Sequence, residues 1–377
     1  MQLKSRKAVL LLIAIGFLFI TGEIVSRQYE NFYRGKMLHA KIENPHGTGS
    51  HRLMSNKIFH LNVSGNPIEI NLNSDGMNWH EVDPTKVRKR IAIVGDSFTL
   101  GCWSSTYKSS FAGVFESLLD PTEVEVMNFG VGGYGFDDIE LQIVEDVLAY
   151  DPDVVILASY DGNDFRDTYL GLQKYKIVDN DFVWNEEVLK EKIPEQYFPQ
   201  KKHSIVERFS LVRTLEDFFD PIKQGEFFDE LTIDSDFLAE NFWSQKEYPE
   251  LAIKARDLSI QTLNSISDKL QQAGVQFAIV SLPYKEQIYV NAVETSVYDI
   301  HYPQWYVEEF AQHHAIPYLD MLPALREYVR SHDEPIFHKY SNAINDAGHK
   351  VIGEQMALWA KSQVINRESP KSTWVTM

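Results

Sequence analysis

IAIVGDSFTLG, Ile91 to Gly101, is an unbroken apolar run that ends on Gly-Asp-Ser and then turns polar. A strand buried on both faces reads this way, without alternation, because a parallel sheet covered by helices has no wet side. Counting from Arg90, the runs RIAIVG (90–95), EVEVMNFG (123–130), DVVILAS (153–159), VQFAIVSLP (275–283) and IPYLDM (316–321) share this character. Amphipathic stretches separate them, among them SFAGVFESLL, DDIELQIVEDVLAY, DLSIQTLNSISDKLQQAG and WYVEEFAQHHA. Strand, helix, strand, helix means an α/β domain with a doubly wound sheet. Ligands of such a sheet bind outside the carboxyl ends of its strands. Ser97 stands at one of those ends.

The other strand ends are equally unusual. The second run leads into NFGVGGYG, Asn128 to Gly135, and the third into YDGNDF, Tyr160 to Phe165. Taken singly, Ser97 is a helix cap, the glycines a tight turn and Gly-Asn-Asp an ordinary turn. Together they can run acyl transfer. A serine at a strand-to-helix turn exposes its hydroxyl, and its own N–H, a glycine N–H and an asparagine amide can converge on one oxyanion.

GDSFTLG, NFGVGGYG and GNDF, in this order and spacing, resemble the first three blocks of the SGNH (GDSL-type) hydrolases. The resemblance runs from NSDGMNW (73–79) to the last helix near Ala360. It implies a flavodoxin-like three-layer α/β/α sandwich with a five-stranded parallel sheet. It also implies Ser97 as nucleophile, with Gly133, Asn163 and the Ser97 N–H as the oxyanion hole. Members of that family hydrolyse or transfer acyl groups on esters, lipids and O-acetylated sugars, so an acylated carbohydrate or lipid is the expected substrate and no cofactor is expected.

Such a serine needs a base, normally a histidine held by a carboxylate. The family keeps both just before the last helix, ahead of an N-x-x-G-H lead-in, which here is Asn345, Gly348 and His349. Counting back, the histidine falls on Ala343 and the aspartate on Tyr340 or Ser341. Three readings stand. Asp346 and His349 form a literal Asp-x-x-His displaced into the helix, where the plain alternative is a first-turn carboxylate and an ordinary helical histidine. His338 could enter the site from five residues upstream. Otherwise there is no working base, and the domain is a catalytically impaired module that binds glycan or a partner.

Other features bound the rest. The chain has 377 residues, 44% apolar and 24% charged, enough for a large core. A net charge of -18 argues against nucleic acid, since no Lys/Arg stripe exists to displace phosphate counterions. Cys102, the single cysteine, permits no intrachain disulfide and reads as small core filler. Gly130-Val-Gly132-Gly-Tyr-Gly135 is a formal G-x-G-x-x-G, but Asp137 and Asp138 would sit where a pyrophosphate must bind, which argues against a dinucleotide.

At the N-terminus, Lys4, Arg6 and Lys7 precede an uncharged run from Ala8 to Gly22. Residues 1–27 read as an uncleaved signal anchor, a single-pass transmembrane helix with the bulk of the chain periplasmic or extracellular. Residues 28–85 read as a spacer and a β-hairpin, in which Phe59, Leu61 and Val63 alternate before a Ser-Gly-Asn-Pro turn and Ile68, Ile70 and Leu72 after it. Residues 86–365 form the hydrolase-like domain, with 366–377 as a tail. A helical insertion at about 166–245 carries Tyr169, Tyr175, Phe182, Trp184 and Phe198, the expected source of selectivity, although such aromatics are commonly core.

Overall fold

A computed structural model of the chain describes residues 16–26, 42–43, 51–63, 66–83, 85–178, 181–194, 240–291, 295–338 and 342–365. Its central sheet has five strands: β5 (Lys89–Gly95), β6 (Val124–Asn128), β7 (Val154–Tyr160), β10 (Gln276–Leu282) and β11 (Tyr318–Asp320). They lie in the order β11-β10-β7-β5-β6, and every pairing is parallel. In chain order this is the flavodoxin-like 2-1-3-4-5 arrangement. Each apolar run of the sequence is one of these strands. The three central ones, β5, β7 and β10, are buried almost throughout, which is why their sequences do not alternate.

The direction of winding reverses between the first strand, β5, and the third, β7. Right-handed crossovers then put the connecting helices on opposite faces. Accordingly α3 (Phe111–Ser117) packs on the last helix, α11 (Asp346–Gln363). On the other face α4 (Phe136–Glu145) and α5 (Asp164–Leu170) pack on α7 (Glu250–Gln272). Helix α7 buries Leu251, Ala255, Ser259, Thr262, Leu263, Ile266 and Leu270, a three-and-four spacing that keeps one stripe against the sheet. Charge is buried at the opposite end of the sheet from Ser97: Arg90 Nε donates to Glu125 Oε2 at 2.8 Å, across the β5–β6 pair in which these residues stand in register.

Ahead of the sheet, β1 (Ile42–Glu43) pairs with β2 (Arg52–Leu53), and β3 (Lys57–Val63) forms an antiparallel hairpin with β4 (Asn66–Leu72). Its register sets Phe59 against Ile70 and Leu61 against Ile68, one apolar face of the alternation. The region is joined to the main core, since Met77 and Trp79 are buried in it and Trp79 Nε1 donates to Val126 O at 2.9 Å.

Residues 16–26 are helical, with Phe17, Leu18, Ile20, Ile24 and Val25 exposed. Among the described residues no helix is long and apolar enough to cross a membrane. The first 15 positions of the expected anchor, the 366–377 tail and the stretch 195–239 of the insertion lie outside the described residues. What is described of the insertion is α5, the antiparallel pair β8 (Tyr175–Val178) and β9 (Asp181–Trp184), α6 (Glu186–Lys192) and, at its far end, the short 3-10 helix Glu240–Ser244.

Candidate active site

Three chain segments meet at the carboxyl edge of the sheet beside the reversal of winding. Where β5 ends, Asp96 caps the one-turn helix α2 (Ser97–Leu100) by accepting the Phe98 N–H at 2.9 Å. Gly101 closes that turn in the left-handed region, at φ 73°. Ser97 is thereby the first residue of a helix, where backbone N–H groups lack intrahelical partners. It is half-buried, and among the described residues its hydroxyl has no hydrogen-bond partner.

The chain leaving β6 runs along the end of β5, with Phe129 N–H on Ile93 O and Val131 N–H on Gly95 O. Asn128 fastens it, donating to Thr99 O at 2.8 Å and accepting from the Gly130 N–H at 2.9 Å. Gly130 lies so close to α2 that a Cβ there would stand 2.1 Å from the Leu100 nitrogen, so no side chain fits. Two residues on, a Cβ on Gly132 would stand 3.7 Å from the Ser97 Cβ. Gly133 follows at φ +79°, and its missing Cβ would meet the Tyr175 ring at 2.8 Å. Only glycine satisfies both the dihedral and the space.

From β7 comes Asn163, the N-cap of α5. Its side chain adjoins the Asp96 carboxyl, and its Oδ1 is buried without a partner. Tyr160 ties this end to α2 by stacking on Phe98, with ring centroids 4.0 Å apart. Ser97, Gly132–Gly133 and Asn163 are therefore brought together by three different strand ends. Behind them Asp96, Asp164 and Asp167 are buried. Burial, reinforced by the Asp167 charge and opposed by the Phe98 N–H, pushes the Asp96 carboxyl up to about 7, and burial pushes Asp164 well above the carboxylate range. A mostly neutral Asp96 below that pH spares an oxyanion at Ser97 a like charge next door.

The histidines lie differently. His338 donates from Nε2 to Trp103 O at 2.7 Å and takes the Asn66 amide on Nδ1 at 3.2 Å. A carbonyl only accepts, so the proton is on Nε2 and the Nδ1 lone pair faces Asn66. The ring joins β4 to the loop after α2, one residue layer from Phe98, and burial lowers its pKa. His349 is 0% exposed, stacks on Phe111 and accepts the Phe111 N–H on Nδ1 at 3.2 Å. Asp346 points the other way, both oxygens accepting from Ser105, at 2.7 Å from its N–H and 2.6 Å from its hydroxyl. The Asp-x-x-His pair is thus split: the helix turns the carboxylate outward and the imidazole into the α3–α11 contact. Ala343 is buried at 4% exposure, with its carbonyl taking the His338 N–H at 2.9 Å, while Tyr340 and Ser341 lie outside the described residues. Among the described residues no imidazole hydrogen-bonds to Ser97.

Burial depresses His349 to about 3 from an ordinary 6.5. The unfolded chain takes up this proton below about pH 6.5 and the folded chain refuses it, so the stability involved is complete above 6.5 and lost as pH falls toward 3. His349→Asn keeps an acceptor for Phe111 without the titration. The stability of the wild type relative to this variant should fall by about 1.4 kcal/mol per pH unit below 6.5. Urea melts at stepped pH measure it, and a gap independent of pH would contradict the burial.

Cys102 is half-buried and its thiol is pushed up to about 12 by desolvation, so it is not a thiolate at neutral pH. A cavity of about 570 Å³, lined by Arg52, Asp75, Gly130, Gln142, Glu145 and Tyr150 among others, does not include Ser97, Gly133 or Asn163. Around Gly133 the insertion supplies an aromatic wall. Tyr175 packs on Trp184 with centroids 4.5 Å apart, and the Arg166 guanidinium lies 5.4 Å from the Trp184 ring. Tyr169 instead donates to Lys192 O at 2.9 Å; the side chain of Phe182 and all of Phe198 lie outside the described residues.

Sequence reasoning missed His51. It lies in the polar stretch before β2, which carries no periodicity, yet its Nε2 is 2.8 Å from Gly132 O. Only the fold brings it there.

Fold and strand ends define a doubly wound α/β protein with a serine at its switch point. No protein-family model matches this sequence, and none of the curated proteins does. Among solved structures, it is similar to a GDSL-family protein from Desulfitobacterium hafniense DCB-2, at 16% identity over 72% of this chain and 99% of that one, with a TM-score of 0.39. It is similar to the acetyl xylan esterase AlAXEase, at 14% identity over 71% of this chain and 97% of that one, TM-score 0.39. A catalytic mutant of an acetylxylan esterase from Geobacillus stearothermophilus matches at 12% identity over 76% of this chain and all of its own, TM-score 0.40. At these scores the likeness bears on neither substrate nor mechanism.

Proposed function

We propose that this chain is an ester hydrolase or acyltransferase of the SGNH type. Ser97 attacks the acyl carbonyl, and the N–H groups of Ser97 and Gly133 with the Asn163 amide receive the oxyanion. The observation that carries this reading is the meeting of Ser97, Gly132–Gly133 and Asn163 at the switch point, on a serine whose hydroxyl has no hydrogen-bond partner among the described residues. The Tyr175–Trp184 pair beside Gly133 favours an O-acyl carbohydrate, whose ring faces stack on aromatics, over a lipid.

A second reading has its own support. Ala343 is buried where the family resemblance puts the histidine, and His338 and His349 are engaged elsewhere. In that case the domain keeps the pocket and binds acylated glycan without turnover. Loss of a triad base costs several orders of magnitude, though oxyanion donors alone leave about 10³–10⁴-fold over water. A fluorophosphonate probe separates the two. The enzyme labels at Ser97, and Ser97→Ala abolishes the label; folded wild type that stays unlabelled while retaining an acetylated oligosaccharide column is the binding module.

The location belongs to the proposal too. The helical residues 16–26, in which Phe17, Leu18, Ile20, Ile24 and Val25 are exposed, continue the run that begins at Ala8, as an anchor would, with residues beyond it outside the cytoplasm. The full chain should then stay with membranes through an alkaline carbonate wash, and a chain lacking residues 1–27 should not. Release of both would refute the anchor.

A further inference from the structure

We propose that His51 is a positioning residue for the oxyanion site, holding the Gly132–Gly133 peptide so that the Gly133 N–H is presented to Ser97. The inference rests on the reading of Gly133 as an oxyanion donor. His51 Nε2 lies 2.8 Å from Gly132 O. A carbonyl can only accept, so Nε2 carries the proton and donates it. In a planar trans peptide the carbonyl oxygen and the next N–H point in opposite directions. Whatever fixes Gly132 C=O therefore fixes Gly133 N–H.

This peptide needs fixing more than its neighbours do. It joins two glycines, the second at φ +79°, and glycine occupies both signs of φ at little cost, so the plane between them is the one in the loop most free to flip. A flip would turn the donor away and aim a carbonyl dipole at the developing negative charge. Donation to the carbonyl also polarises the same amide and strengthens its N–H as a donor.

His51 is itself held in place. Its ring meets Tyr134 edge-on with centroids 4.9 Å apart, and Tyr134 Oη donates to His51 O. The adjacent Arg52 donates to Tyr134 Oη at 2.8 Å and pairs with Glu145 at 3.0 Å and Asp146 at 2.6 Å at the end of α4. Desolvation brings the His51 pKa down to about 4, so the imidazole stays neutral at working pH and adds no charge to the site. The N-terminal region, which sequence reads as a spacer, thus supplies a buried donor to the glycine loop.

The test uses the full chain in two forms. Gly132–Gly133 is the only Gly–Gly bond in the sequence. Protein labelled with [1-¹³C,¹⁵N]glycine therefore gives a single carbonyl-to-amide correlation, and it reports this peptide alone. His51→Ala should move the Gly132 carbonyl resonance upfield and broaden or double the Gly133 amide. His51→Gln, whose amide nitrogen falls near the position of Nε2, should restore both. In parallel the rate constant for fluorophosphonate labelling, or kcat on p-nitrophenyl acetate, should fall roughly 10- to 100-fold in His51→Ala with KM nearly unchanged, and recover in His51→Gln. An unmoved correlation in His51→Ala overturns the proposal at any activity, as does equal loss of activity in both variants at unchanged folding. A correlation that moves as expected in a protein whose Ser97 never labels leaves the anchor standing and sinks the hydrolase reading instead.

Discussion

Asn163→Ala is expected to slow turnover of a simple ester by about 10²–10³-fold, the loss of roughly 2.7–4 kcal/mol of transition-state stabilisation for one oxyanion donor. The effect should fall on kcat, because the donor acts on charge that exists only after Ser97 attacks. Several features fix this amide. Asn163 stands at the N-cap position of α5, with φ -142° and ψ -14°, its side chain lies against Asp96, and Asp164 closes the turn by accepting the Tyr160 N–H at 2.8 Å. An alanine keeps the backbone and removes the donor. Asn163→Asp is the sharper variant: it keeps the shape, replaces the donor with an acceptor, and adds a carboxyl beside buried Asp96, Asp164 and Asp167. It should be slower than the alanine variant at neutral pH, because like charge and lost donation act together. Steady-state kinetics with p-nitrophenyl acetate, alongside thermal melts, decide it. An alanine variant within threefold of wild type in kcat would remove Asn163 from the site.

That Ser97, Gly133 and Asn163 lie at neighbouring strand ends was legible in the sequence and the surroundings of the histidines were not, because of where each signal lives. The five strands announce themselves because a sheet buried on both faces demands continuous apolar runs, and Ile91–Gly95 or Val154–Tyr160 can serve few other structures. The proposed nucleophile and donors sit within a few residues of those strands, so order and spacing locate them. Gly130 and Gly133 are glycines for local reasons, a close approach and a positive φ, that also survive in a motif. The role of a histidine is decided by tertiary packing instead. Nothing in Asp346-Ala-Gly-His349 tells that one turn of helix sends the carboxylate to Ser105 and the imidazole to Phe111. His338 and His51 meet partners 272 and 81 residues away, across contacts that no periodicity encodes. The aromatics of the insertion divide the same way: Tyr175 lies against Gly133 with Trp184 packed on it, whereas Tyr169 is spent on Lys192 O.

Lys174→Met should destabilise the protein by about 3–5 kcal/mol, the cost of leaving one member of a buried ion pair alone. Lys174 and Asp138 are both almost wholly buried, and Lys174 Nζ donates to Asp138 Oδ2. That same oxygen accepts the Gly135 N–H at 3.1 Å and so caps α4 directly after the glycine loop. Burial opposes the Lys174 charge, yet the Asp138 and Asp137 carboxylates outweigh it and raise its pKa. Asp137 is pushed up to about 7 by burial, with Lys174 drawing it back down, so removal of the ammonium leaves two adjacent carboxyls without their cation. The double variant Lys174→Met with Asp138→Asn discriminates between causes. Asparagine still accepts the Gly135 N–H but carries no charge, so most of the lost stability should return if the uncompensated charge is the cost. If lost packing of the lysine stem is the cost, the double variant stays as unstable as the single one. Urea unfolding followed by circular dichroism gives both numbers, and a single variant within 1 kcal/mol of wild type would show that the pair is not needed. The consequence for the site runs through the next residue. Tyr175 follows Lys174 and lies against Gly133, so freeing Lys174 from α4 also loosens the wall on the glycine loop. Ser97 labelling should then slow in the single variant, under conditions where it is still folded, and recover in the double.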